Sequence, residues 1–276
     1  MTTFQLILVQ QMINKNLFSS LLNQAYYQIP FAITRQTILT AVENFFEFLN
    51  LSNPIKNAID FKLREENRRG DIGYKKRFAS DKDCRDDKEF FHFHPEIFSR
   101  YQHLIDEQPV MSSFLNVAHD IWLAAESTVK TILQQLEEQF PGCVEAIFPS
   151  GKSETILRFI RYDWQTCGRY LARPHYDAAA ISLAIAEDKP GLRIGIDQIS
   201  LQLLQHQEDH AIFFVSSNYK RVFGDQCPFK PAWHDVIQVD EKKIGHPYSR
   251  WAIVAFFVPY GIAELPRSST HQCMEV

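Results

Sequence analysis

The sequence predicts a helical first half leaning on a β-rich second half, with the strands forming a sandwich or barrel. Three observations carry this. Apolar residues return every three or four positions through residues 35–50 and 109–140, which is one face of a helix. After about residue 155 the pattern changes to short runs rich in β-branched and aromatic residues, separated by turn signals. The chain has 276 residues, 45% of them apolar and 22% charged, so it can bury a sizeable core and is not an intrinsically disordered chain.

The elements follow in order. RQTILTAVENFFEFLN (35–50) aligns Ile38, Val42, Phe45 and Leu49 on one helix face, and Asn53-Pro54 breaks the pattern. Residues 61–90 hold many of the charges and read as a solvated loop with a short turn at Gly70-Asp71. Residues 109–140 carry the strongest helical stripe, Val110, Phe114, Val117, Ile121, Ala125, Val129, Ile132 and Leu136, closed by Pro141-Gly142. ILRFIRY (156–162), ISLAIA (181–186), GLRIGI (191–196), HAIFFV (210–215) and RWAIVAFFV (250–258) have strand length and composition. Asp188-Lys189-Pro190-Gly191 places Pro and Gly for a type II turn.

Length alone allows one domain or two. A long helix that needs a surface to cover favours one, with a mainly helical part over 1–155, a β core over 156–262 and a tail over 263–276. Lys plus Arg is 29 against 33 for Asp plus Glu, a net charge of −4, so a general nucleic-acid binder is not expected. The five cysteines form no C-x-x-C pair, which reads as reduced thiols in a cytoplasmic protein. MTTFQLILVQQMINK lacks the marks of a signal peptide, and the run from Trp251 to Val258 is too short to span a bilayer, so no membrane association is expected.

The chemistry concentrates at Arg173-Pro174-His175-Tyr176-Asp177, which leads into ISLAIA. On a strand, residues i and i+2 share a face, so His175 and Asp177 project together with Tyr176 opposite. An imidazole and a carboxylate aimed at one point make a two-ligand corner for a metal. By composition such a chain contains roughly 0.6 H-x-D pairs by chance, so the pair needs a third ligand. His234, in KPAWHDV, is the candidate, and His246 is its rival. Two His and one carboxylate on one face of a metal leave adjacent positions open, the arrangement of non-haem Fe(II) sites. Arg250, on a further strand, suits a carboxylate co-substrate through its planar fork.

The stretch from about Leu157 to Pro259 resembles the Fe(II)/2-oxoglutarate-dependent dioxygenases, and within them the isopenicillin N synthase-like group. Leu157-Arg158 and Tyr162 resemble the family's strand ahead of the H-x-D. Pro174-His175-Tyr176-Asp177, ISLAIA and Pro190-Gly191-Leu192 match its His-x-Asp, leucine-rich strand and Pro-Gly-Leu. The Asp177-to-His234 interval fits, and Arg250-Trp251-Ala252 through Pro259 matches the closing arginine strand. The likeness extends more loosely to Gly73-Tyr74 and Lys88-Glu89-Phe90-Phe91-His92. Ala252 stands where the family has Ser, Ile160 where plant members often have Asn, and the His234–Arg250 spacer, with DEKKIGHPYS, is longer than usual.

The resemblance implies a distorted double-stranded β-helix, a jelly-roll relative, backed by helices. It implies Fe(II) on His175, Asp177 and His234, with 2-oxoglutarate anchored by Arg250 and Tyr162. O₂ is the second co-substrate, and ascorbate a candidate reductant. A small molecule is hydroxylated with release of succinate and CO₂, and desaturation or ring closure are variants. A monomer is expected. Ala252 keeps open an Fe(II) oxidase of the same fold that does not use 2-oxoglutarate. A non-catalytic jelly-roll interaction protein is the reading from another class. His92-Phe93-His94-Pro95-Glu96 is a second candidate metal pattern, weakened because Pro95 would interrupt strand pairing. Lys75-Lys76-Arg77 could attract an acidic substrate, with a solvated charge run as the simpler reading.

Overall fold

The computed structural model of the protein describes residues 16–64, 71–78, 87–164, 170–243 and 248–261. The chain opens with a helix over residues 16–24 (α1), then β1 (Tyr26–Pro30), α2 (Arg35–Leu49), α3 (Asn53–Lys56), β2 (Asp60–Lys62), β3 (Asp71–Arg77) and β4 (Lys88–Phe93). Helices α4 (Glu96–Glu107), α5 (Pro109–Leu136) and α6 (Cys143–Ile147) follow. The second half runs β5 (Ile156–Trp164), β6 (Tyr170–His175), β7 (Ile181–Glu187), β8 (Leu192–Gly195), β9 (Gln202–Leu203), β10 (His210–Val215), α7 (Lys220–Phe223), β11 (Trp233–Ile237) and β12 (Tyr248–Phe257).

Among the described residues the strands form two antiparallel sheets. The larger has the order β1-β10-β7-β12-β5-β4-β3-β2 and the smaller β6-β11-β8-β9. From β5 onward the chain passes back and forth between the sheets: β5, β7, β10 and β12 lie in the large one, β6, the β8–β9 pair and β11 in the small one. Two apolar clusters join the sheets face to face. One unites Leu192 and Ile194 of β8 with Ile212 and Phe214 of β10, and the other Phe90, Ile160 and Tyr162 with Leu171 and Ala172 of β6.

The period-2 pattern of the large sheet sorts its two faces. Ile181, Leu183 and Ile185 of β7, Trp251, Ile253, Ala255 and Phe257 of β12, and Leu157 and Phe159 of β5 join the main core beneath the helices. The alternate residues turn toward the small sheet. Helix α2 buries Ile38, Val42, Phe45 and Leu49, the face its spacing predicts, and Thr34 caps it by accepting a hydrogen bond from the Thr37 N–H at 3.4 Å. Helix α5 packs beside it and buries Phe114, Ile121, Ala125, Val129, Ile132 and Leu136. The abundance of Phe has its use here. The Phe114 ring lies 5.1–5.4 Å from the rings of Phe45, Phe48, Phe91 and Phe159, tying two helices to β4 and β5.

Three expectations need correction. Residues 61–90 are not simply a solvated loop: β2, β3 and β4 extend the large sheet from β5, held by backbone pairing that their charged flanks do not advertise. Of the turn expected at Gly70-Asp71, Gly70 lies outside the described residues and Asp71 begins β3. The first half is thus a mixture of helix and strand. Helix α5 ends at Leu136, four residues before the expected limit, and the Glu137 carboxylate accepts from the N–H groups of Gly142 and Val144 to start α6. The turn after β7 is not type II, because Gly191 does not adopt a positive φ. Its glycine answers a close approach described below.

Phe114→Ala opens a cavity at the junction of four elements. The expected cost is about 3–5 kcal/mol of unfolding free energy, read by chemical denaturation. A loss comparable to that of a surface substitution would refute this account of the core.

Candidate functional site

His175 is the last residue of β6 and His234 the second of β11. The two strands pair antiparallel with His175 opposite His234, and their rings stand 4.4 Å apart. Asp177 lies beyond the end of β6, so it does not share a strand face with His175 as the sequence suggests. The chain turns after His175 and carries the carboxylate back. Asp177 Oδ1 is 3.6 Å from His175 Nε2, and its Oδ2 is 3.6 Å from His234 Nε2. The three ligand atoms lie within 4.8 Å of one another. Ligand atoms on one first-row metal, with bonds of about 2.1 Å, stand roughly 3 Å or somewhat more apart, which the spacing of these three atoms approaches.

The surroundings prepare each ligand. His175 Nδ1 lies 2.7 Å from the Arg173 carbonyl and His234 Nδ1 3.1 Å from the Ala232 carbonyl. A carbonyl only accepts, so both Nδ1 atoms carry a proton, and both Nε2 atoms face Asp177. Burial lowers the pKa of His234, opposed in part by the Asp177 charge, and the neutral ring is the form that binds a metal. Burial alone would raise the Asp177 carboxyl. The charges of His234 and His175, with hydrogen bonds from His175 and Ser182, outweigh it and hold the group below the usual carboxylate range. Ser182 donates to Asp177 Oδ2 at 2.7 Å and is itself 2.9 Å from the Ser216 hydroxyl. His175 remains about a quarter exposed, which leaves the ligand set an open side.

A cavity between the two sheets joins this ligand set to Arg250 and Tyr162. Arg250 and Tyr162 are cross-strand partners of β12 and β5, and both are buried. The alternation in β7 makes the room: Ala184 and Ala186 line the cavity while Leu183 and Ile185 point to the helices. Ala252, at the position where a Ser was expected, lines the same cavity. Arg250 donates from Nη2 to the Glu187 carboxylate. Its Nε and Nη1 are buried without a hydrogen-bond partner. Gly191 closes behind it: a Cβ there would stand 1.9 Å from Arg250 Nη1. The glycine of Pro190-Gly191-Leu192 thus gives up its side chain to admit a guanidinium.

Sequence reasoning missed Ser182, Glu187, Lys88 and Arg158, which all face this region. A serine on the small-residue face of an apolar strand was the available signal for Ser182, whereas Glu187 shares the sequence parity of Ile181, Leu183 and Ile185 and reaches the cavity beside Ala252 past a register shift in the β7–β12 pairing. The H-x-H pattern does not form a metal site. His92 binds the Asp71 carbonyl through Nδ1 at 2.7 Å and accepts from Arg158 Nε through Nε2 at 2.7 Å. His94 Nδ1 accepts from the Glu96 N–H at 3.2 Å, and its Nε2 lies 3.3 Å from the Ser153 carbonyl. Lys75 and Lys76 of the basic run pair with Asp60 and Glu89. His246 lies outside the described residues.

No protein-family model and no curated protein matches the chain. Solved structures do. A protein from Shewanella oneidensis aligns at TM-score 0.66 and 19% identity, over 89% of this chain and 86% of its own. A full-length Neurospora crassa protein, crystallised with alpha-KG and 5-formyluracil, aligns at 0.67 and 16%, over 90% of this chain and 78% of its own. The Arabidopsis thaliana dioxygenase for auxin oxidation 1, in a complex with 2-oxoglutarate, aligns at 0.65 and 10%, over 93% and 91%. At these identities the likeness establishes the fold.

Ser182→Ala removes the bond that orients Asp177. It is expected to weaken Mn(II) binding by about 10–100-fold, the usual effect of losing such a support, and His234→Ala to abolish it. Titration calorimetry decides, and unchanged affinity in both variants would dismiss the site.

Proposed function

We propose that the protein is an Fe(II)- and 2-oxoglutarate-dependent oxygenase acting on a small molecule, with His175, Asp177 and His234 as iron ligands. The observation that carries this reading is one cavity holding both a two-histidine, one-carboxylate set and a buried arginine with unpartnered N–H groups. The donor set suits iron: three ligands on one side leave positions for a bidentate keto acid and O₂. The arginine suits the distal carboxylate, because a buried Nε or Nη1 without an acceptor is costly until one arrives. The solved structures that share the fold, two of them holding alpha-KG or 2-oxoglutarate, support the same reading.

The strand order, with the chain passing back and forth between facing sheets, supports the double-stranded β-helix as the description of the core. We take the chain as one domain, because strands from its first and second halves share the large sheet.

Bound iron with 2-oxoglutarate supplies O₂ activation, releasing succinate and CO₂ and oxidising the substrate. The chain's residues do the rest. The Arg173 and Ala232 carbonyls hold two imidazoles in one tautomer, and Ser182 fixes the carboxylate between them. Arg250 and Tyr162 receive the co-substrate's far end, with Lys88 Nζ 5.7 Å from the Tyr162 ring. Ile160, Val254, Phe214 and Phe256 line apolar walls that keep water out. Hydroxylation is the simplest outcome. Among the described residues no helix is long and apolar enough to cross a membrane. The free thiols of Cys143 and Cys227 are in keeping with a reducing, cytoplasmic setting.

Purified protein with Fe(II), ascorbate and 2-oxoglutarate is expected to form succinate, and His175→Ala to form none. Full turnover in that variant would sink the assignment. 2-Oxoglutarate or N-oxalylglycine at a hundredfold over Kd is expected to stabilise the Mn(II)-loaded protein by about 2.7 kcal/mol, an effect lost in Arg250→Leu. Absence of stabilisation in the parent protein would favour the oxidase that does without 2-oxoglutarate.

A further inference from the structure

Glu187 has no role in the site as described so far, yet it sits on its anchor. It is the last residue of β7 and lines the cavity together with Ala186, Leu192, His206 and Arg250. Its carboxylate holds Arg250 Nη2 through Oε2, while its Oε1 is buried without a partner. Both side chains are more than nine-tenths buried. The incoming co-substrate carboxylate and Glu187 therefore address the same guanidinium.

Charge sets the consequence. An arginine carries one positive charge, and with Glu187 ionised the pair is already neutral. A second carboxylate on that guanidinium would leave the three groups together with one net negative charge. Two carboxylates sharing such a site do not both stay ionised; one takes a proton. The co-substrate's carboxylate arrives from water with the ordinary preference for ionisation. Glu187 is the group already disposed to protonate, since burial pushes it up to about 7 against the opposing charge of Arg250.

The other charged groups facing Glu187 do not change this. Arg35, from α2, spends Nη1 on the Glu187 backbone carbonyl at 3.1 Å and stacks on Trp251 at 5.0 Å. His206, from the segment between β9 and β10, is held neutral by burial, with its Nε2 on the His210 carbonyl at 2.7 Å. Asp188 follows Glu187 in the chain and does not line this cavity. Lys88 and Arg158 line the cavity from β4 and β5.

We propose that Glu187 is an internal competitor for Arg250, so that 2-oxoglutarate enters with one proton from solvent, taken up by the Glu187 carboxylate. The balance is simple: dianionic 2-oxoglutarate plus one proton converts the Glu187–Arg250 ion pair into a neutral acid beside an arginine–2-oxoglutarate pair. Glu187 is thus a specificity-determining residue that links co-substrate affinity to pH. The inference rests on the 2-oxoglutarate reading above.

The sign follows from the raised carboxyl. Below its pKa Glu187 already carries the proton and affinity is flat. Above it each binding event must capture one, and affinity falls about tenfold per pH unit.

The test is calorimetric and needs no turnover. Mn(II)-loaded protein is titrated with 2-oxoglutarate at pH 7.5 and 8.5, in buffers of differing ionisation enthalpy, to count protons. The parent protein is expected to take up close to one proton at pH 8.5 and to bind about tenfold more weakly than at pH 7.5. Glu187→Gln, isosteric and uncharged, is expected to take up none, to bind equally at both pH values, and to bind more tightly than the parent at pH 8.5. Binding to the parent without proton uptake overturns the proposal and leaves the 2-oxoglutarate reading standing. So does weaker binding by Glu187→Gln at pH 8.5, which would make Glu187 a support for Arg250. No binding by either protein, with Mn(II) affinity intact, removes the 2-oxoglutarate reading and this inference together. If Glu187→Gln does not fold, the proton count on the parent protein decides alone.

Discussion

The register of β6 against β11 is the constraint on which the candidate site depends. His175 and His234 are 59 positions apart in the chain, yet they meet because they are directly opposed in an antiparallel pair. A slip of one residue would turn His234 to the other face of the sheet and put Asp235 in its place. Asp235 is occupied elsewhere: its carboxylate pairs with Arg193 of β8 at 2.5–2.8 Å and is fully buried. That ion pair fixes β11 against β8, as the His175–His234 pairing sets it against β6. Asp177 then needs only a short turn beyond β6 and a serine from β7 to complete the set.

The large sheet solves a second problem, which is to be solid on one side and hollow on the other. Both faces are covered, one by α2 and α5 and one by the small sheet. In β7 large aliphatic residues point to the helices, while Ser182 and Ala184 point inward. Side-chain size on alternate positions thus builds a core and a cavity from one strand. β12 follows the same rule, with Trp251, Ile253 and Phe257 outward and Arg250, Ala252 and Val254 inward. A buried arginine is tolerable there because Glu187 neutralises it and Gly191 leaves space for it.

The same arginine joins the fold to the proposed chemistry. A guanidinium pre-placed by a carboxylate and a glycine is rigid, so little ordering remains when a co-substrate binds. Its partner carboxylate also sets the electrostatic terms of entry. The oxygenase reading accounts for the ligand set and for the arginine. The Glu187 pairing is a property of this chain that the motif order does not foretell.

Much of this was legible in one dimension. His175, Asp177, His234, Arg250 and Tyr162 stand out by residue type, order and spacing, and the helix faces of α2 and α5 follow from period alone, because both are local or linear properties. Strands β2 to β4 were not legible, since charged residues flank their short apolar runs and their pairing with one another and with β5 is set by neighbours in space. The path of Asp177 was misjudged for a related reason: strand alternation applies only while the strand lasts, and β6 stops at His175. The fate of His92, consumed by Asp71 and Arg158, and the meeting of Glu187 with Arg250 across 63 residues depend on through-space contacts. Sequence determined which groups are present and in what order. Tertiary structure decided which of them share a charge, because Coulomb and hydrogen-bond energies depend on distance in space and not along the chain.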